Sequence, residues 1–286
     1  MSLEKAVVIT GASTGIGRAS VASAVKGGAT VFAAVREDSD AASLQTEFGS
    51  SVIPLIFDVR DGAAIDKAAE QVAGALGGGT LFGLVNNAGI ALPAPAILQP
   101  FEEVREQIET NLLGQIAVTQ AFAPLLGADK ARQGAPGRIV VMSSIAGEVA
   151  QPYMSIYAAT KHALEGFSDS LRRELQIFDI KVVIVGPGLI ATPIWAKARP
   201  FIGRYAGTPF AETFDKAVQK ITETGEEHGL SAQKVGDLVW EALTAKNPKI
   251  RYAPAAHPLI EQVLPRATPR RWLDAAVRIF PGLRRP

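Results

Sequence analysis

The chain has 286 residues, of which 48% are apolar and 20% charged, and its formal net charge is +1. This balance gives no indication of a nucleic acid or another polyanionic partner. The absence of cysteine excludes disulfides and thiolate chemistry, and it fits a reducing cytoplasm, where we expect the protein to reside. We expect no signal peptide and no membrane span, because no window approaches the roughly 18 uninterrupted apolar residues that a span requires.

Short apolar runs alternate with longer segments of helical periodicity along most of the chain. Continuous apolar runs are typical of parallel strands that are covered on both faces. Repeated strand–helix–strand units predict an α/β fold, a Rossmann-type doubly wound parallel sheet of about seven strands with helices on both faces. We see no repeat and no linker, so we expect a single domain over residues 1–286. The predicted strands are Ala6–Thr10, Thr30–Val35, Ser51–Phe57, Leu81–Val85, Arg138–Ser143, Lys181–Val185 and Ile250–Tyr252.

The first predicted strand runs into a Gly-rich turn over residues 10–17 and then into an Ala-rich helix. Glycines permit a tight turn and let a diphosphate approach the N-terminus of a helix, where free N–H groups favour anions. The spacing is G-xxx-G-x-G, which differs from the G-x-G-x-x-G of the general dinucleotide fingerprint. An ordinary strand–helix loop is the alternative, but the position after the first strand favours a dinucleotide site.

The next two strand ends carry charged side chains. Arg36 follows the second strand, at a point where an acid would bind the ribose of NAD and an arginine would bind the 2′-phosphate of NADP. Val35 stands where the acid would be expected, so we favour NADP(H), the alternative being a solvated arginine offset by Glu37 and Asp38. Asp58 ends the third strand, where it can accept a hydrogen bond from an adenine amino group or cap the next helix.

The fourth strand leads into Asn86-Asn87-Ala88-Gly89, whose small residues let a strand end approach a flat ligand. A long predicted helix follows and contains Asn111. Asn is a poor residue for the middle of a helix. Asn111 is therefore either a tolerated polar residue or the site of a kink that turns a carbonyl and its own amide toward a water near Lys161.

Ser144, Tyr157 and Lys161 place a hydroxyl, a phenol and an ammonium at fixed intervals. Ser144 follows the fifth strand, thirteen residues before Tyr157, and Lys161 lies four residues after it. If Tyr157 opens a helix, Lys161 lies one turn further on the same face, about 6 Å away. Such a trio suits proton transfer to or from an oxygen, and a bound dinucleotide would then carry the hydride.

The remainder of the chain has a looser pattern. The turn 186–193 contains Thr192, which can hold a carboxamide or cap the next helix. Residues 194–229 spread aromatic side chains among Gly, Pro and charged residues, which indicates a mobile lid over an apolar cavity or, alternatively, a surface helical insertion. A helix is predicted at Val235–Ala245. The three histidines lack metal-ligand spacing, so we expect no metal site.

Residues 253–286 form a predicted C-terminal extension. From Pro265 onward it carries six arginines against one acid, Asp274, with apolar residues between them. We expect it to dock on the domain or on an adjacent subunit, and an amphipathic segment at a membrane surface is the alternative.

The Gly-rich turn, the Asn-Asn-Ala-Gly segment, the Ser144/Tyr157/Lys161 trio and the turn 186–193 together resemble the short-chain dehydrogenase/reductase family over about Lys5–Pro193. Residues 31–36 and 143–147, with the long C-terminal extension, are similar to members acting on retinoids, hydroxysteroids and other bulky lipophilic carbonyls. The resemblance implies an NADP(H)-dependent carbonyl reductase or alcohol dehydrogenase that forms a homodimer or homotetramer. An NAD-linked hydroxysteroid or retinol dehydrogenase and a non-catalytic dinucleotide-binding regulator are the alternatives.

The resemblance also implies residue roles. Tyr157 is the acid in carbonyl reduction and, as phenolate, the base in alcohol oxidation; the Lys161 ammonium and the oxidised nicotinamide are expected to lower its pKa. Ser144 positions the substrate oxygen, and Asn111 holds a water that relays protons. Thr14 stands where the family commonly has a basic residue, so the NADP preference depends on Arg36. The expected cofactor-binding residues are Gly11, Ser13, Thr14, Gly15, Ile16, Gly17, Arg36, Asp58, Val59, Asn87, Ala88, Gly89, Tyr157, Lys161, Pro187, Gly188, Ile190 and Thr192. The candidate substrate contacts are Gln151, Tyr153, Met154, Leu189, Trp195 and the aromatic residues of the lid.

Overall fold

A computed structural model describes residues 3–279, and for residues 260, 262 and 276–279 only the backbone. Its centre is a parallel sheet of seven strands, as the sequence predicts. These strands are β1 (Ala6–Thr10), β2 (Thr30–Val35), β3 (Val52–Ile56), β4 (Gly83–Asn86), β5 (Arg138–Met142), β6 (Lys181–Val185) and β9 (Arg251–Tyr252). Their order across the sheet is β3-β2-β1-β4-β5-β6-β9. The sequence pattern did not predict β7 (Ile190–Ala191) and β8 (Leu230–Ser231), which pair in parallel outside the main sheet.

Helices cover both faces of the sheet. Their bounds are α1 (Gly15–Lys26), α2 (Asp38–Phe48), α3 (Gly62–Leu76), α4 (Phe101–Ile108), α5 (Gly114–Phe122), α6 (Ser155–Glu174), α7 (Ala211–His228), α8 (Ala232–Thr244), α9 (Leu264–Ala267) and α10 (Arg270–Ile279). A π-helical turn, Glu109–Leu113, joins α4 to α5. Among residues 3–279, no helix is both long and apolar enough to cross a membrane.

The continuous apolar character of the strands follows from the two layers that they separate. Along β1, Ala6 and Val8 point into one buried cluster, whereas Val7 and Ile9 point into the other. The first cluster includes apolar residues of α3, α5 and α6, and the second includes residues of α1, α2 and α8. A strand buried on both faces favours apolar side chains at successive positions, and residues 6–9 of β1 are all apolar and buried.

The predicted lid, residues 194–229, contains a short 3₁₀ segment at Ala196–Phe201 and the long helix α7. It has a small core of its own, separate from the two layers on the sheet. The buried residues of this lid core are Ala94, Tyr153, Ala198, Tyr205, Phe214 and Val218. The segment is therefore largely helical, and it packs around a core that Ala94 and Tyr153 complete from outside it. It also forms part of the cavity wall, as the lid prediction expects, and its mobility stays a prediction.

The described part of the C-terminal extension lies against the chain's own domain. The Glu261 carboxylate accepts a hydrogen bond from the backbone N–H of Leu189 at 2.9 Å, and Arg266 forms an ion pair with Glu148. The expected docking on the domain thus holds for this part. The end of the predicted extension, residues 280–286, lies outside the described residues.

Candidate active site

A cavity of about 1090 Å³ opens at the carboxyl ends of the strands, where a doubly wound sheet binds its ligands. Every predicted cofactor-binding residue lines it. So do Ser144, Tyr157 and Lys161 of the predicted catalytic set, whereas Asn111 lies behind the wall and is fully buried. These residues come from separate segments between positions 11 and 192, and the fold brings them together around one cavity.

The Gly-rich turn fits a diphosphate. Gly11 has a φ of +62°, and a Cβ at Gly17 would lie 2.0 Å from the carbonyl oxygen of Gly11, so neither position accepts a side chain without a shift. The N-terminus of α1 has no side-chain cap and no acidic residue in its first turn. Its free N–H groups therefore face the cavity without a competing negative charge.

Asn87 holds the end of β4 against this turn. Its side-chain amide donates to the carbonyl oxygens of Thr10 at 2.8 Å and Gly11 at 3.1 Å. The Thr10 hydroxyl in return accepts from the backbone N–H groups of Asn87 at 2.9 Å and Ala88 at 3.0 Å. These four hydrogen bonds tie the ends of β1 and β4 together beside the Gly-rich turn.

Arg36 is exposed at the cavity wall, and none of the described ion pairs involves it. An exposed Arg36 is compatible with the alternative of a solvated arginine as well as with the phosphate role, which stays a prediction. Asp58 also lines the cavity, and the guanidinium of Arg60 holds its pKa below the usual value through hydrogen bonds at 2.8 and 3.0 Å. Asp58 does not cap the following helix; Asp61 does so, accepting from the N–H of Ala64 at 3.1 Å.

The helix α6 begins at Ser155, two residues before the predicted start, and it carries both Tyr157 and Lys161. The Lys161 Nζ lies 5.7 Å from the centroid of the Tyr157 ring, and it donates a hydrogen bond to the Met142 carbonyl oxygen at the end of β5, 2.8 Å away. The Ser144 hydroxyl accepts from the backbone N–H of Ala146 at 3.1 Å, and it lies near enough to Tyr157 to lower the pKa of that phenol. The three predicted side chains therefore converge.

Burial raises the pKa of the Tyr157 phenol, and the nearby Ser144 hydroxyl opposes this shift. Burial also lowers the pKa of Lys161 to about 8, against the attraction of the nearby Glu165 carboxylate. The direction for Tyr157 is opposite to the predicted lowering. The reason is that desolvation of the phenolate dominates in the protein alone; lowering by the oxidised nicotinamide stays a prediction for the complex.

Asn111 lies within the π-helical turn, so the second of its two predicted alternatives, an irregular turn in the helix, is the one observed. Its side-chain oxygen accepts from the N–H of Ile90 at 2.8 Å, and its amide nitrogen donates to the Ile90 carbonyl at 2.9 Å and to the Thr160 hydroxyl at 3.2 Å. The amide is thus occupied by protein groups and positions the segment after β4. A relay water would then depend on the main chain of the π-turn rather than on this amide.

A charged cluster behind Ser144 was not predicted from the sequence. Arg251, at the start of β9, pairs with Glu148 at 3.0 Å and with Glu165 at 3.1 Å, and it donates to the Ser144 carbonyl oxygen at 3.4 Å. Arg266 of the extension pairs with the same Glu148. The sequence places Arg251 in the predicted seventh strand, which was the one indication of this cluster. Its partners lie about a hundred residues away in sequence, so no local pattern connects them to it.

The predicted substrate contacts separate into two groups. Gln151, Met154, Leu189 and Trp195 line the cavity as expected. Tyr153 does not, and the aromatic residues of the lid apart from Trp195 do not either. The prediction was wrong for these residues because they bury their rings in the lid core instead: Tyr153 and Tyr205 both pack edge-on against Phe214.

Five charged residues of the cavity wall were missed, namely Glu106, Lys197, Lys216, Lys220 and Glu261. The four-residue spacing of Lys216 and Lys220 indicates a shared helical face, but the sequence does not show which face meets the cavity. Within the described residues, no group of three or more His, Cys, Asp or Glu side chains lies together in a way that could hold a metal ion.

The parallel sheet and the cavity at its carboxyl edge are those of an oxidoreductase with a Rossmann-type dinucleotide-binding fold. Comparison with known proteins gives the same class. The family model for short chain dehydrogenases matches residues 5–202. The chain is 38% identical to an NADPH-dependent 3-dehydrocapnine reductase of Ornithobacterium rhinotracheale, over 93% of this chain and 94% of that protein. It is 33% identical to retinol dehydrogenase 5 of Mus musculus, over 87% and 80% of the two chains.

The fold comparison gives the same result. The crystal structure of a short-chain dehydrogenase from Streptomyces avermitilis superposes with a TM-score of 0.79 at 26% identity, and the match covers 100% of both chains. The protein therefore belongs to the short chain dehydrogenase family of oxidoreductases. The predicted similarity to retinol dehydrogenase-like members is confirmed.

Proposed function

We propose that the protein is an NADP(H)-dependent oxidoreductase that interconverts a ketone or aldehyde with the corresponding alcohol on a bulky lipophilic substrate. The observation that carries the proposal is the convergence of Ser144, Tyr157 and Lys161 on the cavity that the Gly-rich turn and Arg36 also line. Such a reaction requires residues that transfer a proton and a site that binds the dinucleotide carrying the hydride, and both would lie in the same cavity.

NADP is favoured over NAD by Arg36. Its guanidinium is exposed at the cavity wall beyond β2, and Val35 leaves no acid there to bind the ribose hydroxyls of NAD. Arginine presents a planar fork that matches phosphate oxygens. The NADPH-dependent relative supports the same cofactor.

The chain's own residues account for the proton half of the reaction, and bound NADPH would supply the hydride. The Ser144 hydroxyl holds the substrate carbonyl oxygen, and the Tyr157 phenol donates its proton to that oxygen as negative charge develops. The raised pKa of Tyr157 keeps the phenol protonated at neutral pH, which suits reduction. Lys161, with a pKa of about 8, carries its positive charge beside the phenol at the same pH.

The substrate side of the cavity supports a lipophilic substrate. Its walls include Leu92, Met154, Leu189, Trp195 and Ile221, which are large apolar side chains from four separate parts of the chain. Burial of apolar substrate surface against such walls contributes roughly 25 cal/mol per Å².

A ketone panel assayed with NADPH and with NADH tests the proposal. We expect consumption of NADPH with lipophilic ketones, and Tyr157→Phe should lower kcat by about 10²-fold or more because the proton donor is lost. Arg36→Ala should weaken NADPH about tenfold or more and leave NADH unaffected, whereas Arg105→Ala, an exposed arginine outside the cavity, serves as the control.

Other outcomes would favour the alternatives. Equal effects of Arg36→Ala on the two cofactors would contradict the phosphate role and favour an NAD-linked dehydrogenase. NADPH binding without turnover of any ketone, together with no effect of Tyr157→Phe, would indicate a non-catalytic dinucleotide-binding regulator.

A further inference from the structure

The segment that follows β4 leaves the sheet and becomes a wall of the cavity. The backbone pairing of β4 ends at Asn86, and every residue of the segment 88–92 lines the cavity. Ala88 and Gly89 are expected cofactor contacts, and Leu92 belongs to the proposed substrate side. Beyond the end of the sheet pairing, the N–H and C=O groups of this backbone need other partners.

Buried amide side chains of the helical layer are these partners. The Gln107 Oε1 on α4 accepts from the N–H of Leu92 at 3.1 Å, and the Gln115 Nε2 on α5 donates to the carbonyl oxygen of Ala88 at 3.1 Å. Asn111 lies between the two glutamines and binds both backbone groups of the middle residue of the segment. All three amide residues are at most 1% exposed.

The spacing of these side chains matches the spacing of the backbone that they hold. Positions 107, 111 and 115 are four residues apart, which is about 6 Å along a helix. Their partners at 92, 90 and 88 are two residues apart, which is about 6.6 Å along an extended chain. Four residues of an α-helix turn by about 400°, so this row of side chains would drift around the helix axis. The wider π-helical turn Glu109–Leu113 opposes that drift and keeps the row facing the segment.

Each glutamine uses only one half of its amide. Within residues 3–279, the Gln107 Nε2 and the Gln115 Oε1 are buried without a hydrogen-bond partner. Each residue therefore satisfies one backbone group while one of its own polar atoms stays unsatisfied, so the net gain in stability is small. Local costs of this kind are typical of functional sites, and the bonds to the cavity wall are what these glutamines provide.

We propose that Gln107 and Gln115 are positioning residues for the two ligands of the cavity. Gln107 fixes Leu92 for the substrate, and Gln115 fixes Ala88 for the dinucleotide. The inference depends on the proposed function and adds two residues to its site. Neither glutamine lines the cavity, so each acts through the backbone that it holds. A small displacement of a group that contacts a ligand is sufficient to lower binding or turnover markedly.

Gln107→Met tests the substrate half of the inference. Methionine has a similar size but lacks the acceptor, so the N–H of Leu92 loses its partner and this part of the wall shifts. We expect the KM for lipophilic ketones to rise about tenfold, with the dissociation constant of NADPH unchanged. Gln107→Glu keeps an oxygen acceptor in either protonation state and should restore most of the wild-type KM.

Gln115→Met tests the cofactor half. It removes the donor to the carbonyl oxygen of Ala88. We expect the dissociation constant of NADPH, measured by fluorescence titration, to rise about tenfold, with the KM for the ketone at saturating NADPH unchanged. Gln120→Met is the matched control: it makes the same substitution at an exposed position of α5 and should change neither constant.

The pattern of the two constants decides whether the glutamines act by positioning. The inference is wrong if the KM for the ketone is unchanged in Gln107→Met or if the dissociation constant of NADPH is unchanged in Gln115→Met. It is also wrong if each variant raises both constants equally, or if Gln107→Glu behaves like Gln107→Met, because a general loss of packing would have these effects.

Hydrogen–deuterium exchange separates this inference from the proposed function, because it requires no turnover. The peptide that contains Leu92 should exchange faster in Gln107→Met than in wild type, and at the wild-type rate in Gln107→Glu and Gln120→Met. Equal exchange in Gln107→Met and wild type would overturn the inference whether or not a ketone is reduced. If exchange and NADPH binding change as expected but wild type reduces no ketone, the positioning by the glutamines is supported and the proposed function is wrong.

Discussion

Lys161 is a cation in an almost water-free position. Its side chain is 4% exposed, its Nζ donates to the Met142 carbonyl, and burial lowers its pKa from 10.5 to about 8. Folding therefore favours the neutral amine, although the proposed reaction uses the ammonium at neutral pH. The residue destabilises the fold at the pH at which its charge serves the proposed reaction.

The stability of the protein should consequently increase from pH 8 toward pH 10. Over this range the folded Lys161 loses its proton while the unfolded chain keeps it, so the unfolded state binds more protons and the free energy of unfolding rises with pH. Tyr157, with its raised pKa, acts in the opposite direction only above pH 10. Urea unfolding at pH 8 and at pH 10 measures the rise in the free energy of unfolding between the two pH values. This rise should be about 2 kcal/mol smaller in Lys161→Met than in wild type. An identical rise in both proteins would contradict the lowered pKa of Lys161.

The short strand β9 connects the C-terminal part of the chain to the catalytic segment. Its first residue, Arg251, is 17% exposed and lies between the carboxylates of Glu148 and Glu165. Because Arg251 also contacts the Ser144 carbonyl, it fixes the backbone that carries the proposed substrate-binding hydroxyl.

Removal of Arg251 should therefore act on both stability and catalysis. Arg251→Met leaves the largely buried Glu165 without its partner and should cost about 3 kcal/mol, with a lower kcat. Arg251→Met/Glu165→Gln should recover part of this loss, since the unpaired charge is removed as well. A double-mutant cycle by urea unfolding measures the coupling, and strictly additive losses would show that the pair does not interact.

At the scale of the whole molecule, α6 presents an open face. Ala159 and Gly166 are exposed on it, and a Cβ at Gly166 would meet no other atom within 4 Å. The family resemblance predicts association through the helices of Asn111 and Tyr157, and a face of small residues permits the close approach of a second helix.

Gly166→Arg tests this association. The substitution should not harm the protomer, because it replaces glycine inside a helix by a better helix former and enters open space. It should, however, block close helix packing and reduce the mass measured by sedimentation equilibrium. An unchanged oligomer would place the interface elsewhere, and a monomeric wild type would contradict the prediction of a homo-oligomer.

Local patterns were sufficient for the parts of the site that lie close together in sequence. The Gly-rich turn, the spacing of Tyr157 and Lys161, and the apolar strands are properties of short segments, and they fall where predicted. The pairing of Arg251 with Glu165 spans 86 residues, and that of Glu261 with Leu189 spans 72, so no local pattern contains them.

The lid shows the corresponding limit for apolar residues. Its aromatic side chains are buried as their chemistry requires, but periodicity does not show which core receives them, and they fill the lid core rather than the cavity. The strands β7 and β8 have only two residues each, which is too short for an alternation to be recognised.

Tyr153 makes the lid and the catalytic loop one cooperative unit. It has a φ of +65°, a left-handed conformation that costs a bulky residue about 1 kcal/mol or more, and its ring packs in the lid core four residues before Tyr157. If α7 moves away, Tyr153 loses the contacts that offset this strain, and the loop is free to relax. The predicted lid movement would therefore be thermodynamically linked to the geometry of the proposed proton donor, and we expect lid substitutions remote from Tyr157 to alter turnover as well as substrate choice.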